Sequence, residues 1–249
     1  MRNTGRFMAV TSAVILALAP FGKAEEVKKD NFVQGGNLDT TFKGRYVGNK
    51  LGTTFTDNEV LQNVVGLRTK AGNVFYWDNF DLKKRELTEI DVGYSTPSLM
   101  NRWVGANLSF EGYTYPNAKK MIWDLEPGMN VFSRNLPVDI KLYGAASLPE
   151  TAERGGIARL SVGKTFPLDK LHFPKGSTIG LEGNLVYNEK YYSDKKGLSH
   201  FSVNGNLSIP VTKRFSVNGG VLFNEPIGKF NEGNFRRQLV PYVGGRVSF

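Results

Sequence analysis

Few residues in the chain could carry out a reaction. His172 and His200 are its two imidazoles, and none of its 249 residues is a cysteine. A thiolate zinc site, a cysteine nucleophile and a disulfide framework are therefore excluded. His200 shares one face of an alternating segment with Ser202 and Asn204, the residue types of a Ser/His/Asn hydrolase. Residues two apart on a strand, however, stand roughly 6.5–7 Å apart, beyond the hydrogen-bond reach that a nucleophile and its base need. Ser202 and Asn204 read more simply as lining residues, and His172, beside Phe173 and Pro174, as a loop residue. Glu89 with Asp91, and Asp124 with Glu126, are same-face carboxylate pairs. Calcium needs about six to eight oxygens from a loop that wraps it, which a strand face does not supply. Gly155-Gly156 and Gly244-Gly245 lack the following helix that a phosphate loop requires. The expectation is a protein that is not an enzyme, with no catalytic set, no metal and no cofactor.

What positions these residues is an alternation running along most of the chain. Phe201, Val203, Gly205, Leu207 and Ile209 oppose Ser202, Asn204, Asn206 and Ser208; Phe215, Val217, Gly219 and Val221 oppose Ser216, Asn218 and Gly220. A period of two predicts strands with one apolar and one polar face. Twelve such segments can be marked, at about 38–47, 60–70, 73–81, 86–96, 102–113, 119–132, 137–148, 156–166, 177–188, 198–211, 214–223 and 236–249. Pro127, Pro210 and Pro241 fall within them and predict bulges or strand ends, since each removes a ladder donor.

The first residues read as an export signal. Arg2 and Arg6 precede an uncharged apolar run from Phe7 to Pro20, and small residues at Gly22 and Ala24 place cleavage after Ala24. Losing 1–24 removes three bases and no acid, so the formal charge falls from +9 to +6. The organisation expected is a signal peptide at 1–24, a short periplasmic segment at 25–37 and a barrel at 38–249. Acids and bases alternate along the chain rather than clustering, which argues against a nucleic-acid partner.

Three features favour a transmembrane barrel over a soluble sandwich. The spacing of the segments leaves room for the roughly 9–11 residues that cross an outer membrane. Tight turns at Ala71-Gly72 and Thr212-Lys213 fall on the side of the N-terminus, whereas 49–59, 189–197 and 224–235 are long and polar on the other; the linker 167–176 is the exception. Lastly, the chain ends on an amphipathic strand with a terminal aromatic. Tyr242, Gly244, Val247 and Phe249 there resemble the β-signal read by the barrel assembly machinery. The fold expected is all-β: an antiparallel up-and-down barrel of about twelve strands in the cell outer membrane.

A more particular resemblance lies between Glu59 and Ser95. Val60-Leu61-Gln62, Phe75-Tyr76-Trp77 and Glu89-Ile90-Asp91-Val92-Gly93-Tyr94 follow one another as in small Proteobacterial porins of the TorF type, which these elements resemble. The resemblance implies an outer-membrane barrel and carries over no catalytic residue.

With the apolar face toward lipid, the other parity points inward. Lys43, Arg45, Arg68, Arg236 and Arg246 then form a basic wall, and Glu89, Asp91, Glu111, Asp124 and Glu126 an acidic wall on the strands across the barrel. Opposed walls of this kind would orient a dipolar solute. Trp77, Trp103 and Trp123, with Tyr46, Tyr113 and Tyr187, fall near strand ends and are expected in an interfacial girdle. The function expected is a narrow passive channel for small hydrophilic solutes. The alternatives are a non-conducting structural or interaction barrel and an outer-membrane hydrolase. The partners expected are outer-membrane lipid, lipopolysaccharide meeting loop bases such as Lys83, Lys84, Arg85, Lys195 and Lys196, and the assembly machinery.

Overall fold

The computed structural model describes residues 32–47, 54–100, 104–115, 122–131, 138–148, 155–191, 194–231 and 235–249. The expected signal peptide, 1–24, lies outside them, as does Trp103. The long strands are β1 (Val33–Lys43), β2 (Val60–Thr69), β3 (Gly72–Asp81), β4 (Glu86–Ser95), β5 (Val104–Thr114), β6 (Ile122–Val131), β7 (Asp139–Ser147), β8 (Gly156–Pro167), β9 (Thr178–Glu189), β10 (Lys196–Pro210), β11 (Phe215–Pro226) and β12 (Gln238–Ser248). Each pairs antiparallel with its chain neighbours, and β1 pairs with β12, so the sheet closes on itself. This is the up-and-down barrel that the alternation predicts, with twelve wall strands. Leu99–Met100 adds a short strand beside the start of β5, and Tyr46–Val47 with Thr54–Thr56 makes a small separate hairpin.

The first strand begins at Val33 rather than at 38, because Gly35 and Gly36 carry no side chain to mark the alternation. Gly35, at φ +138, sits beside a register shift after Val33. The prolines behave as their missing N–H requires. Pro210 ends β10, and Pro241 lies where β1 leaves the ladder with β12. Beside Pro127 the β6–β7 pairing skips from Tyr143↔Gly128 to Ala146↔Leu125. The long connection after β8 is held by its own bonds: Leu168 N–H donates to Ser177 O at 2.8 Å, and Gly176 N–H to Asp169 Oδ1 at 2.8 Å. His172 follows its 3-10 turn, Asp169–Leu171, in the left-handed region at φ 60.

The outer surface is apolar. Phe42, Leu108, Leu125, Leu142, Leu160, Leu181, Val221 and Val243 are each more than a third exposed. In water a continuous belt of that kind would drive association; in a bilayer it is the surface that hydrocarbon wets. No helix among the described residues is long and apolar enough to cross a membrane. Thr40, Asn63 and Asp78 interrupt the belt and satisfy one another. The Thr40 hydroxyl donates to Asn63 at 3.0 Å, and the Asn63 amide donates to Asp78 at 2.8 Å.

Closure is finished by the last residue. Gly36 N–H donates to Phe249 O at 2.7 Å, Phe249 N–H donates to Gly36 O at 3.0 Å, and the Phe249 ring lies over Gly36. A methyl group at Gly36 would stand 2.7 Å from that ring. Gly220 is equally confined, its missing Cβ lying 2.2 Å from Gly205 O and 2.5 Å from the Tyr242 hydroxyl, whereas a Cβ at Gly205 would meet nothing within 4 Å. Gly220→Ala should therefore lower unfolding stability by about 1–3 kcal/mol through overpacking. Gly205→Ala should stay within about 0.5 kcal/mol of the parent. Urea unfolding in detergent micelles, followed by heat-modifiable gel mobility, checks the pair; equal effects would remove the steric account.

Candidate functional site

The pairing register sets which side chains enter the lumen. Lys43 lies opposite Tyr242 and Val60, Asp39 opposite Arg246 and Val64, and Val64 opposite Trp77, so all share the inner face. A polar cavity of about 570 Å³ follows the wall made by β8–β12 and β1–β3. Thr41, Gln62, Asn204, Asn206, Ser208, Asn218 and Tyr242 contribute its uncharged hydrogen-bonding groups. The Tyr242 hydroxyl donates to Asn204 at 3.0 Å, and the Gln62 amide donates to Asn79 at 2.9 Å.

The five bases proposed from sequence divide. Lys43, Arg45 and Arg246 line this cavity. Arg246 is held by Asp39 through hydrogen bonds of 2.5 and 3.1 Å. Arg45 lies 3.5 Å from Asp57, which Arg236 also engages at the rim. Arg68 is an exposed residue near the tight-turn end, below Gly35. Asp57 carries no mark in the sequence, because it lies in a loop where alternation assigns no face.

The five acids gather on the other side of the lumen, on β4, β5 and β6, and none lines the cavity. Glu89, Glu111, Asp124 and Glu126 are all buried, Asp124 completely. Phenols pack over them. The Tyr46 hydroxyl donates to Glu89 and the Tyr191 hydroxyl to Asp124, with the Tyr113 and Tyr191 hydroxyls 3.3 Å apart. Burial, then the charge of Glu89, holds the Tyr46 phenol well above the usual tyrosine range. Tyr191 is raised in the same way by burial and then by Asp124. The acidic side is therefore a packed, hydrogen-bonded mass, and the open volume lies on the basic side.

The first loop partly roofs the lumen. Its hairpin residues Tyr46 and Val47 are buried, with Tyr46 stacked on Phe55 at 4.9 Å and tilted against Trp77 at 5.8 Å. The loop is fastened to three parts of the wall. Tyr46 reaches Glu89 on β4, Gln238 on β12 donates to Thr54, and Thr56 and Asn58 donate to Asp81 on β3 at 3.0 and 2.9 Å.

Tyr46, Tyr113 and Trp77 thus lie inside, in place of the expected girdle. Trp77 shares its parity with Asn79, which could have marked it as lumenal; Tyr46 stands beyond β1, where parity no longer applies. Trp123 does face outward, stacked on Phe110 at 4.8 Å, and Tyr187 is exposed. His200 is buried with its Nδ1 3.0 Å from the Ser199 hydroxyl, while Ser202 accepts a hydrogen bond from Asn184 at 3.3 Å. Neither His200 nor Ser199 lines the cavity, and His200 and Ser202 do not meet as a base and nucleophile would.

No family model and no curated protein matches the chain. Solved structures do. "KdgM porin" superposes with a TM-score of 0.56 at 13% identity, over 86% of this chain and 99% of that one. "KdgM porin in complex with disordered oligogalacturonate" gives 0.54 at 15% identity, with the same shares of 86% and 99%. The NanC porin gives 0.56 at 10% identity, over 84% of this chain and 98% of that one. The chain has the barrel fold of these porins. Identities so low carry the likeness no further than the fold.

The capped phenols have a consequence for pH. A group whose ionisation constant is raised by folding contributes stability that is complete below its unfolded value, about 10 for tyrosine, and lost as the pH climbs beyond it. The barrel should therefore weaken above about pH 10, and Tyr46→Phe with Tyr191→Phe should flatten that decline. Melting of detergent-folded protein between about pH 8 and 11.5 measures it; equal slopes in parent and double variant would show that neither phenol matters.

Proposed function

We propose that the chain is an outer-membrane barrel conducting small hydrophilic solutes passively through an off-centre lumen. The observation that carries this reading is the polar cavity of about 570 Å³ inside a closed wall whose outer face is apolar. The likeness in fold to KdgM and NanC, both named as porins, supports it. The complex of KdgM with disordered oligogalacturonate makes a polar, sugar-like solute the first to try. The proposal includes export with cleavage after Ala24, and membership of the TorF-type porins on the elements between Glu59 and Ser95. Lys43, Arg45 and Arg246 face the solute, Arg68 and Arg236 stand toward the two ends, and the packed acids Glu89, Asp91, Glu111, Asp124 and Glu126 back the opposite wall. Bases at the loop end, among them Lys84 and Lys195, would meet lipopolysaccharide phosphates.

Electrolyte in such a lumen feels the wall charge at close range, within a Debye length of about 10 Å at 0.1 M salt. Planar-bilayer recording of the mature protein under a salt gradient should show discrete steps. Lys43→Gln with Arg45→Gln should move the reversal potential toward cation preference. One observation favours a second reading, a non-conducting scaffold: the first loop's hairpin, fastened to β3, β4 and β12, covers part of the mouth. A folded barrel that never conducts would establish that reading instead.

Phe249 offers a separate trial. Removing it deletes two seam hydrogen bonds and the ring over Gly36. If its role is only in the seam, refolding into micelles and assembly in cells should suffer alike. If the machinery reads it together with Tyr242, Gly244 and Val247, assembly in cells should fall much further than refolding.

A further inference from the structure

Among the cations lining the cavity, Lys43 alone is held by no acid of the described residues. It ends β1 on the inner face, between Tyr242 and Val60, neither of which carries a negative charge. The acids of this wall, of the rim and under the first loop are committed elsewhere. Asp39 takes both hydrogen bonds of Arg246, Asp57 is shared by Arg45 and Arg236, and Glu89 accepts from Tyr46. An ammonium against a low-dielectric wall without a counter-charge is costly, so the position favours an anion arriving from the lumen. Alongside it the cavity offers uncharged groups suited to hydroxyls, Thr41, Gln62, Asn204 and Asn206, with Trp77 and Tyr242 beside them. The cavity, at about 570 Å³, falls within the range of roughly 300–1,000 Å³ usual for small-molecule sites.

We propose that this cavity is a binding station for a small hydroxylated monocarboxylate, its carboxylate on Lys43 and its hydroxyls on the amide-rich wall. The inference deepens the channel reading and rests on it for passage, although binding can be measured without passage. A single charge is specified because Lys43 is the one lining cation without an acid among the described residues: Arg246 is taken up by Asp39, and Arg45 shares Asp57 with Arg236 at the rim.

The test uses the mature chain folded in detergent micelles, with gluconate as the probe and glucose, chloride and a trimeric uronate as comparisons. Trp77 lines the cavity and reports occupancy by fluorescence. Gluconate should give a saturable change that glucose and chloride do not reproduce. Lys43→Met should weaken it tenfold or more, and Lys43→Arg should retain most of it, with heat-modifiable mobility as the control for folding. The same titration in a planar bilayer should interrupt the parent's conductance. Equal responses to gluconate, glucose and chloride would overturn the site, as would parent-like binding by a folded Lys43→Met protein. Tighter binding of the trimeric uronate would overturn the single-charge assignment. Gluconate binding to a barrel that never conducts would uphold the site while removing the channel reading, so the two failures are distinguishable.

Discussion

Closure of the sheet between β1 and β12 is the constraint on which the other features depend. In hydrocarbon a strand edge has no water to satisfy its N–H and C=O groups, so an open sheet cannot span a bilayer. The seam runs from Asn37↔Ser248 to Lys43↔Tyr242, and Phe249 extends it by two hydrogen bonds to Gly36. Once the seam is made, parity follows around the wall. It places Lys43 beside Tyr242 in the lumen, and Phe42 beside Val243 in the lipid-facing belt. A slip of one residue would exchange these faces. Small residues at Gly36, Gly220 and Gly244, each tightly opposed by backbone or a ring, hold that register by leaving no room for a side chain.

The lumen inside this wall is divided rather than uniform. A carboxylate moved from water to a low-dielectric interior is tolerable when it accepts hydrogen bonds or faces opposite charge. Tyr46 and Tyr191 donate to Glu89 and Asp124 on the acidic side. Packing phenols into that half displaces the open volume toward β8–β12 and β1–β3, where side chains are short amides and hydroxyls. The charge asymmetry of the sequence thereby becomes an asymmetry of space. One side is structural, and the other is free to meet a solute. The loop hairpin belongs to the same design, since Tyr46 is both part of the roof and the cap of an acid.

The outer face shows the same rule applied to a polar interruption. Thr40, Asn63 and Asp78 occur on adjacent strands at paired positions, so each can bond the next across the ladder. Scattered singly on the belt, the same residues would each have faced lipid unsatisfied. The solved porins of like fold share only 10–15% of residues with this chain. That disparity fits a wall whose architecture needs alternation, small residues at close approaches and a sealed seam, but few particular side chains.

Alternation of period two was enough to reveal twelve wall strands, their approximate limits and the parity of Lys43, Glu89, Asp91, Glu111, Asp124, Glu126 and Arg246, because each strand carries its own record of lipid and lumen. The amphipathic ending at Phe249 was equally plain. Several features lay beyond that reading. The start of β1 at Val33 was hidden by glycines, which have no face. Arg45, Asp57 and Arg236 meet only because loop and strand ends far apart in the chain come together at one rim. The inward turn of Tyr46, and the packing of acids under tyrosines, depend on contacts between residues as distant as Asp124 and Tyr191. Parity is a local property and survives in the sequence; which half of the lumen is filled is a matter of long-range packing, and only the closed barrel determines it.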